Sequence, residues 1–196
     1  MVLISAGEFL YGSDRSDPQR NDLVESEPTK LPNQRFCVDT YEYPNRKGGV
    51  PTSGVTWLEA QSLCMKQGKR LCTQEEWERA CKGPTGGKWN RRYPYGDQFV
   101  EGACNTSSAG DLPLEEGKAA PAGSFPRCVT PEGIHDMSGN VDEWTVSPGR
   151  FSRESRVTRG GSHQRPGWTA RCTSLRELTD TAQETDVGLR CCKDAQ

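Results

Sequence analysis

The chain has 196 residues, enough for one core of ordinary size, and its 25 basic against 27 acidic side chains give a net charge of -2. No basic run exceeds a pair such as Arg91-Arg92, which argues against nucleic acid or an anionic membrane as partner. No stretch reaches the roughly 18 to 20 apolar residues that cross a bilayer, so no membrane span is expected. Met1 to Ile4 is too short for a signal-peptide core, and any export signal is expected to have been removed.

With 21 glycines and 13 prolines, the composition points to a loop-rich fold with a compact core. The apolar content of Val2 to Tyr11 predicts one or two short strands, and the polar, proline-punctuated stretch from Gly12 to Asn33 predicts a surface loop. Gln34 to Glu42 alternates well enough for a strand. Two helices then have clear starts. Thr56 with Glu59 forms a capping box and Gly68 is a natural stop, while Thr73 with Glu76 repeats the device and predicts a second helix to about Lys82. Trp57, Ala60 and Cys64 recur at helical spacing, as do Trp77, Ala80 and Cys81, and both tryptophans are expected in the core. Gly83 to Gly139 has little periodicity and many turn residues, so it should be held by something other than regular hydrogen bonding. Short strands are predicted near Val141 to Trp144, Arg156 to Gly160 and Val187 to Cys192. No repeat or linker divides the chain, and residues 1–196 are expected to form one domain.

The nine cysteines favour disulfides over zinc. Zinc sites use closely spaced pairs, whereas Cys64, Cys72 and Cys81 are well separated and Cys191 and Cys192 are adjacent. A disulfide framework implies an oxidising, extracytoplasmic compartment: periplasmic, cell-surface or secreted.

Four blocks resemble, in order, the formylglycine-generating-enzyme family, also called the sulfatase-modifying-factor family. They are LISAGEFLYGS from Leu3, VTWLEA from Val55 with GKRLCTQEEWERA from Gly68, GIHDMSGNVDEW from Gly133, and RGGS from Arg159 with GLR from Gly188. The similarity covers nearly the whole chain. It implies an α+β fold, a variant of the C-type-lectin-like fold, with two helices, small twisted antiparallel sheets and much irregular structure. It also implies two disulfides, Cys64–Cys191 and Cys81–Cys172. Cys104 and Cys128 lie together in the irregular region and are paired with each other, while Cys37, Cys72 and Cys192 compete for one bond. A strand carrying Cys37 could lie beside one carrying Cys192, and Cys72 could reach either.

Enzymes of this family oxidise a substrate cysteine with two active-site cysteines that bind copper, since soft thiolates suit Cu(I). The corresponding interval here, Ser162 to Arg171, has no cysteine. The second position falls on Gly167 and the first near Ser162 to Arg165, so no copper is expected and formylglycine generation is not expected. The resemblance also implies a structural Ca2+ at Asp136, Gly139, Val141 and Glu143, through side-chain oxygens at the ends and backbone carbonyls between, a donor set that suits a hard cation. A second site would use Asn105 and Thr106 with a downstream acid among Asp111, Glu115 and Glu116.

The leading expectation is a non-catalytic extracytoplasmic module that binds a protein or other ligand near the C-terminal loop. Trp89, Arg91, Tyr93, Tyr95, His163, Arg165, Trp168 and Arg171 are the candidate contacts, since aromatics with arginine commonly anchor recognition sites. One alternative is an oxidoreductase of the same family that acts on a peptide or small molecule without a copper dithiolate. Another is a structural component of a bacterial cell envelope, joined through an unpaired cysteine.

Overall fold

A computed structural model describes residues 1–84, 91–107 and 117–195. Both capping boxes form. Thr56 opens α1 (Trp57–Lys66) and Thr73 opens α2 (Gln74–Lys82), each threonine side chain accepting from the backbone N–H of the glutamate three residues on while that glutamate accepts from the threonine N–H. Each exchange satisfies two amides that the first turn leaves open. Just past the first helix, Gly68 takes a left-handed φ of 67°, as a stop there requires.

The strands form three units. β1 (Val2–Ile4), β4 (Phe36–Val38), β10 (Cys191–Asp194) and β5 (Arg70–Leu71) make an antiparallel sheet in the order β1-β4-β10-β5. β2 (Gly7–Tyr11) and β3 (Thr29–Asn33) form a ribbon, and β6 (Asp142–Pro148), β7 (Ser155–Arg159), β8 (Leu175–Thr179) and β9 (Val187–Leu189) form a sheet ordered β8-β7-β6-β9, with β6 and β9 parallel. The architecture is α+β with small, mostly antiparallel sheets. Among the described residues no helix is long and apolar enough to cross a membrane.

Three expectations need correction. Part of the loop expected over Gly12 to Asn33 is β3, which contains Pro32; a two-stranded ribbon leaves an open edge on each strand, where a residue without N–H is tolerated. The strand expected over Gln34 to Glu42 stops at Val38. β8 carries the charged LRELT pattern of a half-buried edge strand, which hid it among loops.

Adjacent residues of β10 divide the core. Because neighbouring strand side chains point to opposite faces, Cys191 joins Cys64, Leu71, Trp144 and Leu189 in one apolar cluster, whereas Cys192 joins Cys72, Val38, Trp77 and Ile134 in another. The four disulfides are Cys64–Cys191, Cys72–Cys192, Cys81–Cys172 and Cys104–Cys128. The first three close sequence separations of 127, 120 and 91 residues. Loops of that length give a chain-entropy stabilisation of about 4–5 kcal/mol each. Strand register settles the pairing that the sequence left open. Val38 stands opposite Cys192 and Cys37 stands opposite Lys193, so Cys37 points to the other face of the sheet and remains a free thiol.

Candidate ligand-binding cleft

The RGGS block leaves β7 through Gly160 and Gly161, whose φ values of 101° and 69° belong to glycine. This double turn sends Ser162 to Arg171 across the end of the second sheet. Gly161 N–H donates to Asp142 Oδ1 at 2.9 Å, and Ser162 Oγ donates to Asp186 Oδ2 at 2.7 Å. Arg165 is tied back through its own N–H to the Ser162 carbonyl and through its carbonyl to the Ser107 N–H, each at 3.0 Å. The segment then enters a short 3-10 turn over Gly167–Thr169. Between it, β8 and the Gln19 to Glu25 loop lies a cleft of about 350 Å3, lined among others by Asn21, Asp142, Arg165, Arg171, Ser174 and Arg176.

Two buried ion-pair systems form its walls. Arg171 reaches Glu25 at 2.5 Å and Asp17 at 3.0 Å, and its side chain is only 2% exposed. Burial alone would raise the Glu25 carboxyl, but the Arg171 guanidinium holds it below the usual range. Arg176 bridges Asp142 at 2.6 Å and Asp186 at 3.3 Å. Burial, with the neighbouring Asp186 charge, raises the Asp142 carboxyl against the pull of Arg176. Arg165 is exposed, and among the described residues its side chain makes no hydrogen bond or ion pair. Among the described residues the cleft therefore offers Arg165 as a cation without a hydrogen-bond or ion-pair partner, above walls in which each guanidinium is shared by two carboxylates.

The candidate contacts have diverse settings. Arg165 and Arg171 share the cleft. Trp168 is 41% exposed, and its carbonyl accepts from the Tyr93 hydroxyl. His163 is 5% exposed, with its N–H and Nδ1 both directed at the Asn140 carbonyl, which fixes the ring within the loop. Tyr95 stacks on Tyr93 at 5.5 Å, and its hydroxyl accepts from Val100 N–H. Arg91 is buried, with Nη2 on the Cys81 carbonyl and on Glu132. Trp89 lies outside the described residues, as do Asp111, Glu115 and Glu116.

No thiol reaches the cleft. Eight cysteines are in disulfides and Cys37 is in the first sheet. The position matched to the second active-site cysteine is closed sterically: a Cβ added at Gly167 would lie 2.5 Å from Phe99 Cε2 and 2.6 Å from Thr106 Oγ1. Gly167 has ordinary backbone angles, so it is space alone that bars a side chain there.

The turn expected to hold calcium is a buried carboxylate cluster. Glu143 accepts from Arg190 through both oxygens, at 2.7–3.0 Å, and from Trp77 Nε1 at 2.5 Å. These bonds occupy the lone pairs that a carboxylate offers. Asp136 Oδ2 accepts from Gly123 N–H at 2.7 Å, and Glu42, fully buried, accepts from Asn140 Nδ2 and Val141 N–H. Burial first, then the charges of Asp136 and Glu143, push the Glu42 carboxyl well above its ordinary value. Three carboxylates thus surround one guanidinium, and this surplus of negative charge is what suits a divalent cation. Among the described residues no group of three or more His, Cys, Asp or Glu side chains is arranged to hold a metal. At the second expected site, Asn105 Nδ2 donates to the Lys118 carbonyl and to Asn140 Oδ1, while the Thr106 hydroxyl lies beside Gly167.

Sequence reasoning missed Asp142, Arg176 and the Gln19 to Glu25 loop as cleft walls. Asp142 carries a signal: adjacent carboxylates such as Asp142 and Glu143 at the start of a strand need partners when buried. Arg176 had none, since its strand was not recognised.

A family model described as "Sulfatase-modifying factor enzyme 1-like domain" matches residues 1–195. The chain is 32% identical over 157 residues to the "Inactive C-alpha-formylglycine-generating enzyme 2" of Bos taurus, covering 74% of this chain and 50% of that protein. It therefore spans about half the length of that relative. Among solved structures, PvdO from Pseudomonas aeruginosa superposes with a TM-score of 0.78 at 16% identity, over 98% of this chain and 93% of that one. Treponema denticola variable protein 1 superposes with a TM-score of 0.75, also at 16% identity, over 100% and 95%. At such identities the two structures speak for the fold, and the family match together with the bovine relative shows that this chain belongs to the sulfatase-modifying-factor, or formylglycine-generating-enzyme, family.

Proposed function

We propose that the chain is a non-catalytic member of this family that works outside the cytoplasm and binds a protein or other ligand through the cleft beside Ser162 to Arg171. The observation that carries this reading is the Gly167–Phe99 contact. Where the family resemblance puts a copper-binding thiol, the chain has a glycine, and the volume its side chain would need is filled. The bovine relative is itself named inactive, which accords with loss of the chemistry on a retained scaffold. Four disulfides fit an oxidising compartment.

Arg165 is the residue assigned to ligand contact, and Arg171 and Arg176 position the walls. The test is a titration of the folded protein with a panel of free amino acids and short peptides, monitored by amide NMR. Shifts centred on Gly161, Arg165, Ser174 and Arg176 that are lost in Arg165→Ala support the reading. Binding that leaves those residues unmoved overturns it.

Structural calcium forms part of the same proposal. Asp136 and the backbone carbonyls of Gly139 and Val141 would hold the ion, and the surplus charge of Glu42 and Glu143 would attract it. Glu143 contributes charge rather than a ligand atom, because its oxygens already serve Arg190 and Trp77. A chelator should lower the melting temperature and added calcium should restore it; an unchanged melting temperature contradicts the assignment.

A further inference from the structure

An open groove of about 560 Å3 lies at the turn of the β6–β7 hairpin, lined among others by Trp57, Val146, Phe151 and three arginines, Arg150, Arg153 and Arg156. The Ser162 to Arg171 cleft is at the opposite end of the same hairpin, where Asp142 opens β6 and Gly161 follows β7. The groove has a fixed aromatic floor. Trp57 Nε1 donates to the Thr145 carbonyl at 2.8 Å, and the Arg156 guanidinium lies over the indole at 4.5 Å, so ring and cation hold each other in place. Phe151 is 72% exposed and Val146 36% exposed. With the half-buried indole they make an apolar patch rimmed by polar groups, the surface pattern of an interaction site.

Charge selects the partner. Arg150 to Arg156 holds three arginines against the one carboxylate of Glu154, a local charge of +2 in a chain of net charge -2. Among the described residues no acid lines the groove, and none of the three guanidinium groups donates to a carboxylate. Arg150 Nη2 donates to Ser26 Oγ at 2.6 Å, and Arg156 Nη1 donates to the Arg153 and Ser155 carbonyls at 3.0 and 2.8 Å. Asp180 Oδ2 is 4.0 Å from Arg156 Nη2, beyond hydrogen-bonding reach. Glu177, beside the turn, already accepts from Phe151 N–H and Ser155 Oγ. The Arg153 side chain is exposed and makes no hydrogen bond or ion pair among the described residues.

We propose that this groove docks an acidic segment of a protein partner, with an aromatic side chain of that segment against Phe151, Val146 and Trp57 and its flanking carboxylates on Arg150 and Arg153. Arginine clusters recognise acidic motifs through charge-assisted hydrogen bonds, and the exposed Phe151 gains by being covered. The groove is separate from the Ser162 to Arg171 cleft, and its failure would leave that reading intact.

Amide NMR of the folded protein tests it, with the blocked pentapeptide Asp-Glu-Phe-Glu-Asp as probe. The probe should shift the amides of Val146, Gly149, Phe151 and Arg153 and the indole N–H of Trp57. Shifts at Gly161, Arg165, Ser174 and Arg176 report the cleft instead, so each site can fail alone. Affinity should fall as salt rises, and replacing the acids of the probe by Asn and Gln should weaken it about tenfold or more. Arg150→Glu with Arg153→Glu, and separately Phe151→Ala, should each weaken the probe by about tenfold, the size of effect expected at anchoring residues. All three residues are exposed, so these variants keep the fold. A thymidine pentanucleotide that binds these amides more tightly than the peptide assigns nucleic acid and overturns the proposal. Shifts of the same amides with protein concentration alone assign a second copy of this chain and overturn it as well. So does a neutral peptide that binds as tightly as the acidic one, or affinity unchanged in both variants.

Discussion

Phe99 fills the space that any side chain at Gly167 would need, with its Cε2 2.5 Å from the Cβ position. Gly167→Cys should therefore act as an overpacking substitution, costing about 1–3 kcal/mol by chemical denaturation. Pairing it with Phe99→Ala should recover part of the loss from that clash, although Phe99→Ala alone removes apolar contact. A Gly167→Cys protein as stable as the parent contradicts the packing described here.

Arg171 and Arg165 line one cleft but do different work. Arg171→Leu strands Asp17 and Glu25 in a buried setting, and breaking such a pair costs about 3–5 kcal/mol. Arg165→Ala should change stability by no more than about 0.5 kcal/mol, since its side chain makes no hydrogen bond or ion pair among the described residues. Denaturation curves of the two variants separate the roles; similar losses from both would refute the distinction.

The cysteine assignment has its own check. Alkylation of the unfolded but unreduced chain should label one thiol, at Cys37, and Cys37→Ser should remain within about 0.5 kcal/mol of the parent. Cys72→Ser and Cys192→Ser should each destabilise to a similar degree, because each breaks the same bond. Peptide mapping that finds Cys37 bonded to Cys192 contradicts the register of β4 and β10.

Glu42 ties stability to pH. Its ordinary value of 4.5 is raised by burial and then by Asp136 and Glu143, so the folded chain keeps a proton that the unfolded chain has lost. This contribution to stability is fully present below pH 4.5 and lost as pH rises through the elevated value. In chelator, the melting temperature of the parent should fall with rising pH relative to Glu42→Gln. Calcium should shrink that difference by balancing the charge. A difference that stays constant across pH contradicts the buried-carboxylate account.

Much of this architecture is legible in the residues. The Thr56/Glu59 and Thr73/Glu76 boxes mark both helix starts because capping is a local interaction. Cys64–Cys191 and Cys81–Cys172 follow from resemblance alone. The partner of Cys192 was open because it depends on strand register, a long-range property with no local signature. The same holds for the cleft: Ser162 to Arg171 was locatable by its block, but Arg171 looked like a contact residue until Asp17 and Glu25, far away in sequence, were seen to bury it. Charged residues read from sequence as available for ligands are often consumed by partners that only the fold supplies.

The central claim is that the scaffold survives without its copper chemistry. Oxygen uptake by the folded protein with stoichiometric Cu(I) and a cysteine-containing peptide tests this most directly. The account expects no uptake above a protein-free control, since no thiol pair exists in the cleft to hold the metal. Copper-dependent oxygen consumption by the protein, with oxidation of the peptide cysteine, would contradict it.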